Sequence, residues 1–213
     1  MRQVNSKTLL TISILYYIVI GVFTIFISEN ITDHEWEKEP LYDMIHENFS
    51  IFPEPSIPNY FVYFYLLYTI FRWIFIDLRI IALYFISTSI ILTCRLLTFT
   101  MTQTPPPRTK NDEWRKHHCK RNMLSHVGIS FEKMDGTCID NMFSGHATHI
   151  ICAVMLILLF SKSNYEKILL SLIGGIGTFT IITSRLHYTS DVLIAIFISV
   201  LSVCCFKNII FKS

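Results

Sequence analysis

"TLLTISILYYIVIGVFTIFIS", Thr8 to Ser28, holds no charged side chain and follows the basic residues Arg2 and Lys7. A helix needs roughly 20 apolar residues to cross about 30 Å of hydrocarbon, so this run can span a bilayer. It is longer than the apolar part of a secretory leader, and no small-residue cleavage site follows it. It is therefore expected to persist as a helix with its basic flank in the cytosol. Five more apolar runs follow, at about residues 59–76, 80–101, 144–160, 168–183 and 192–206. The chain has 213 residues, 52% hydrophobic and 16% charged, and a soluble core of that size has no room for six such runs. Its mean hydropathy of +0.46 agrees. The expectation is an all-α polytopic membrane protein, one membrane domain over residues 1–213. Its six transmembrane helices would lie at about 8–28, 59–76, 80–101, 144–160, 168–183 and 192–206, with both termini cytosolic.

Charge placement fits this orientation, with one exception. The segments assigned to the cytosol carry Arg2, Lys7, Arg72, Arg79, Lys162, Lys167, Lys207 and Lys212 against Asp77 and Glu166. The first outer loop, 29–58, has Glu29, Asp33, Glu35, Glu37, Glu39, Asp43, Glu47 and Glu54 against Lys38 alone. That asymmetry is the positive-inside pattern. The second outer loop, 102–143, is rich in Lys and Arg and runs against it. Both N-x-S/T sequons, at Asn30 and Asn48, fall in the first loop, and Asn48 is the better glycosylation candidate because it lies further from the helix. Cys119 and Cys138 share the second loop, where a disulfide would form in an oxidising compartment. "WRKHHCKR", Trp114 to Arg121, has no second ligand cluster at zinc spacing, so neither a metal nor a nucleic-acid role is expected of it.

Ionisable residues at membrane depth are costly and mark candidate sites. "DNMFSGHATH", Asp140 to His149, and "SRLHYTSDVLIA", Ser184 to Ala195, each place a histidine where an apolar run begins. His187 and Asp191 are four apart, which on a helix sets them on one face about 5–6 Å apart between Cβ atoms. A carboxylate there fixes the imidazole tautomer and stabilises the imidazolium, or simply seats the helix start. His146 follows Ser144 and Gly145, where a helix start offers unpaired N–H groups to an anion, or where Ser144 is only the N-cap. The two helices begin on the same side, so both histidines can meet at one depth and form a phosphoryl-transfer centre. Arg95, about 9 Å inside its helix end at 1.5 Å per residue, either snorkels or binds a phosphate. Arg185 is the second phosphate candidate. His149, on the same side as His146, is expected as a packed residue.

At these residues the chain resembles the sphingomyelin synthase family of the lipid phosphatase-like superfamily. "CIDNMFSGHA", Cys138 to Ala147, is similar to that family's C-G-D-x-x-x-S-G-H-T, and "HYTSDV", His187 to Val192, to its H-Y-T-x-D-V. "RLLTFTMTQTP", Arg95 to Pro105, resembles the end of its third helix, and "PLYD", Pro40 to Asp43, its P-L-P-D. The four blocks keep the family's order. The resemblance implies six helices and an exoplasmic site in a Golgi, other secretory-pathway or plasma membrane. It implies that His187 attacks the phosphorus of a phospholipid head group, that Asp191 orients it, and that His146 protonates the diacylglycerol leaving oxygen. Ceramide would then take the head group from the phosphohistidine. No cofactor or metal is implied, and the partners are phosphatidylcholine or another phospholipid, ceramide, diacylglycerol and the membrane, with homo-oligomers left open. Ile139, Ala147 and Tyr42 depart from the motifs. The rival is a lipid phosphate phosphatase, whose blocks read K-x6-R-P, P-S-G-H and S-R-x5-H-x3-D. Here Phe143 replaces that proline, and one residue rather than five separates Arg185 from His187. A non-catalytic lipid-binding or scaffold protein is the third alternative.

Overall fold

The computed structural model describes residues 5–30, 39–50, 56–102, 104–108 and 143–212. These form α1 (Ser6–Asn30), α2 (Met44–Asn48), α3 (Ile57–Trp73), α4 (Leu78–Met101), α5 (Gly145–Phe160), α6 (Asn164–Thr183) and α7 (Thr189–Lys212). Among the described residues there is no strand, and the all-α membrane class holds. Among the described residues four stretches are long and apolar enough to cross a bilayer: Ser6–Thr24, Leu78–Thr98, Asn164–Thr183 and Thr189–Phe211. Helices α3 and α5 have 17 and 16 residues. At 1.5 Å per residue they reach only about 25 Å, so length and apolarity support four spans where six were expected.

Helices α6 and α7 begin furthest ahead of their apolar runs. Helix α6 starts at Asn164 rather than near 168, because Ser163 caps it and accepts the Glu166 amide at 3.2 Å. Serine followed three residues later by glutamate is the capping-box pattern, of which only the serine half is used here, since the Ser163 amide donates to Ser161 Oγ; such a polar first turn hides from a hydropathy scan. Helix α7 starts at Thr189 rather than 192 for a related reason, described below.

The long helices alternate in direction. Helices α3, α5 and α7 end together, where the Phe160 ring meets Trp73 in a T-shaped contact and Phe211 in a tilted one. Helices α1 and α4 run parallel to each other, since Tyr17 packs on Phe85 while Ile20 clusters with Leu92 and Leu96. Helix α5 is the hub, touching α3, α4, α6 and α7, and it buries Ile150, Ala153, Leu156 and Ile157. Lipid gives helices no hydrophobic reason to associate, so close packing between small residues must do it. Gly177 of α6 shows this: a Cβ there would stand 2.8 Å from the Phe61 ring of α3. Helix α1 is peripheral and turns Ile12, Val22 and Phe26 outward, as a lipid-facing helix should. It is pinned to the bundle by Tyr16 on Thr93 Oγ1 at 2.7 Å and by Tyr17 on His149 Nε2 at 3.2 Å.

The shared end of α3, α5 and α7 also holds Glu166, in the first turn of α6. Its carboxylate accepts from Arg72 Nε at 2.9 Å, from Ser161 Oγ at 2.5 Å and from the Tyr68 hydroxyl. Arg72 also lies over the Trp73 ring, and Arg79 over Phe211. In the turn between α3 and α4, hydrogen bonds from the Arg79 side chain hold the Asp77 carboxyl below its ordinary range.

Candidate active site

The opposite end gathers both histidine segments. Ser144 is the N-cap of α5, fully buried, with its Oγ accepting the Ala147 amide at 3.2 Å. Its carbonyl accepts the Thr148 hydroxyl at 3.0 Å. Phe143 before it adopts φ 63°, which swings the incoming chain sharply into the helix. Gly145 leaves room for a neighbour: a Cβ built there would lie 2.0 Å from Arg95 Nη1, and the arginine would have to shift. The guanidinium of α4 therefore rests directly on the backbone at the start of α5. His146, next in the chain, has Nε2 at 2.6 Å from Asn59 Oδ1 in the first turn of α3.

The second segment is not laid out as the four-residue spacing suggests. His187 sits in the turn before α7, and only Asp191 is helical. Asp191 is the third residue of α7 and its Oδ2 accepts the Tyr188 amide at 3.1 Å, the reciprocal half of a capping box. The helix thus begins early because a carboxylate satisfies its first orphan N–H. Both His187 and Asp191 are buried.

The two segments do converge. The His146 and His187 rings lie 6.2 Å apart, centroid to centroid, at 61°. A backbone bond ties the segments as well, from the Ser144 amide to the Asp191 carbonyl at 3.4 Å. Imidazoles this close can flank one reacting phosphorus, with an arginine beside them to meet its charge.

The stretch Glu39 to Asn48 is stapled across this end. Asp43 caps α2 through the Ile45 amide at 2.9 Å and reaches Thr189, accepting its amide at 2.7 Å and its hydroxyl at 2.8 Å. Burial pushes the Asp43 carboxyl up, but the Thr189 bonds and nearby His46 outweigh it and hold the group below its usual value. His46 Nε2 bonds the Ile182 carbonyl at 3.1 Å. Burial drives its imidazole below the ordinary histidine range, and Arg185 adds to this against the pull of Asp43. The Tyr188 hydroxyl accepts the Leu41 amide and donates to the Pro105 carbonyl, both at 2.9 Å. The "PLYD" and "HYTSD" blocks are thus bonded to each other. Tyr42, where the family motif has its second proline, points out to solvent or lipid and is 80% exposed.

Arg185, at φ 54°, donates from Nη2 to the His46 carbonyl at 2.5 Å. Its Nε is buried without a hydrogen-bond partner among the described residues. Arg108, which drew no attention in the sequence, is buried and donates to the Ser184 carbonyl at 2.5 Å. Asn59, Asp43 and His46 were also passed over as site residues. Asn59 could have been noticed as an amide opening an apolar run, and Asp43 as a helix cap inside a motif block. His149 lies apart from the pair, with Tyr84 on Nδ1 at 2.9 Å and Tyr17 on Nε2. Asn48 is exposed on α2, its Nδ2 donating to the Met44 carbonyl at 2.7 Å. Cys119, Cys138 and "WRKHHCKR" lie outside the described residues. Among the described residues, no group of three or more His, Cys, Asp or Glu side chains is placed to hold a metal ion.

Residues 137–209 match the family described as PAP2 superfamily C-terminal. The matched region contains both histidine segments and runs through α5 and α6 into most of α7. It supports kinship with the lipid phosphatase-like superfamily, whose members act on phosphate esters. No curated protein matches the chain.

Proposed function

We propose that this protein moves the phospho-head group of a glycerophospholipid, phosphatidylcholine first among the donors, onto ceramide. The products are sphingomyelin, or a related phosphosphingolipid, and diacylglycerol. The observation that carries the reading is the pairing of half-buried His146 with buried His187, rings 6.2 Å apart, with Arg95 against Gly145 beside them. His187 attacks phosphorus; the phosphorus–oxygen bond to diacylglycerol breaks as His146 gives its proton to that oxygen. The ceramide hydroxyl then attacks the phosphohistidine, its proton passes to His146, and the phosphorus–nitrogen bond breaks. Asp191 positions the His187 turn by capping α7. Arg95 and the unpartnered Nε of Arg185 are the groups suited to the phosphoryl oxygens, with the Ser144–Gly145 helix start adding its dipole. The Cys119–Cys138 disulfide and Asn48 glycosylation belong to the same reading. Basic residues at the Glu166 end, Arg72, Arg79, Lys162, Lys167 and Lys207, favour that end in the cytosol and the histidines on the exoplasmic side.

Hydrolysis of a lipid phosphate fits the family match equally. One feature favours transfer. Phe143 holds φ 63° where the phosphatase motif has proline, whose ring fixes φ near −65°. The test is expression in a membrane lacking sphingomyelin, with labelled ceramide and choline, ethanolamine and inositol phospholipids as donors. A labelled phosphosphingolipid is expected. Free phosphate from phosphatidate without that product would replace transfer by hydrolysis. No product from any donor would leave a lipid-binding protein.

A further inference from the structure

We infer that Asn59 is a positioning residue that sets which nitrogen of His146 carries the transferable proton. The inference rests on the general-acid role proposed above for His146. Asn59 Oδ1 can only accept a hydrogen bond, and it lies 2.6 Å from His146 Nε2. The proton of the neutral ring is therefore on Nε2, and the nitrogen left to exchange a proton with substrate is Nδ1. Asn59 reaches the ring from α3, which supplies none of the motif residues. Its own place is fixed, because Pro58 sits in the first turn of α3, where its missing N–H costs nothing, and is buried. An amide suits this position better than a carboxylate. It holds the tautomer without adding charge, so the ring can lose its proton to a leaving oxygen and recover one from an attacking hydroxyl.

Other charges bear on the same ring. Arg95 faces it from α4, His149 lies one turn along α5, and His187 and Asp191 come from the segment that opens α7. The ring of His187 stands edge to face with it.

The test compares wild type, Asn59→Leu, Asn59→Asp and His187→Ala, measured as kcat, KM and the pH dependence of kcat for head-group transfer. Asn59→Leu removes the acceptor and should lower kcat by about 10- to 100-fold, part of the roughly 100- to 10,000-fold a positioned general acid contributes. KM should change little, because Asn59 does not hold substrate. Asn59→Asp keeps an acceptor and should recover much of the rate. Its carboxylate favours the imidazolium, so the alkaline limb, where the acid loses its proton, should move up by about one pH unit. Should Asn59→Leu fail to fold, the Asn59→Asp limb decides alone. An unmoved limb in Asn59→Asp, or wild-type kcat in Asn59→Leu, with His187→Ala inactive, overturns the assignment of Asn59. Activity surviving in His187→Ala overturns the underlying mechanism instead.

Discussion

The two ends of the helix bundle handle buried polarity in opposite ways. At the Glu166 end one carboxylate collects an arginine, a tyrosine and a serine, so opposite charge is matched within a few ångströms. At the histidine end the arginines bond to carbonyls, Arg108 to Ser184 and Arg185 to His46, and Arg95 lies on the Gly145 backbone. The first arrangement closes a helix junction; the second sets guanidinium groups beside two imidazoles, which suits a phosphoryl group. The two ends have similar ingredients, and the paired imidazoles at one of them separate candidate site from lock.

Substitutions can break or sharpen that contrast. His187→Ala should reduce turnover by at least about a thousandfold while the protein still folds, and Asp191→Asn should reduce it strongly, because both support the same step. Near-normal turnover in His187→Ala would dissolve the contrast altogether. Gly145→Ala should come next. Its Cβ would occupy the place of Arg95 Nη1, and a displacement of about 1 Å near the chemistry can cost about a hundredfold. If both changes act through one guanidinium, adding Arg95→Ala to Gly145→Ala should cost little more, and full additivity of the two losses would refute this.

Glu166→Gln should act on stability alone, by about 1 kcal/mol, because its charge-assisted partners are only partly buried. Thermal midpoint and turnover per folded molecule separate the two; a parallel fall in turnover would mean that the ends are coupled. The smallest effect concerns pH. Because the folded His46 pKa is depressed, the unfolded chain takes up the proton first. The stability contribution of neutral His46 is present above about pH 6.5 and declines as pH falls below that. His46→Gln, which keeps a donor for the Ile182 carbonyl, should flatten the fall in midpoint between pH 7.5 and 5.5, and an unchanged slope would remove His46 as its source.

Much of this was legible in the residues. Apolar runs located the long helices, and the motif blocks carried the histidines that the fold brings together. What hydropathy could not give were the polar first turns of α6 and α7, since capping residues look like loop. The capping role of Asp191 went unforeseen for the same reason: a carboxylate at the third helical position can serve the amide before the helix as well as a neighbour four residues back. Asn59, Asp43 and Arg108 were missed because each acts across 76 to 146 positions of chain. No local period encodes such contacts. Asp43 left the clearer trace, as the last letter of a block whose partner block lay at the other end of the sequence.

The peripheral place of α1 has a consequence for the order in which the chain is made. Helix α1 is synthesised before its main partner α4, which emerges only after α3. Its hydroxyl anchor, His149, comes later still, on α5. In the interval α1 must reside in lipid without a neighbour, and its apolar outer face suits it to that wait. Tyr16 and Tyr17 are then ready-made docking points, engaged when α4 and α5 arrive, and assembly finishes by folding the later helices against the first.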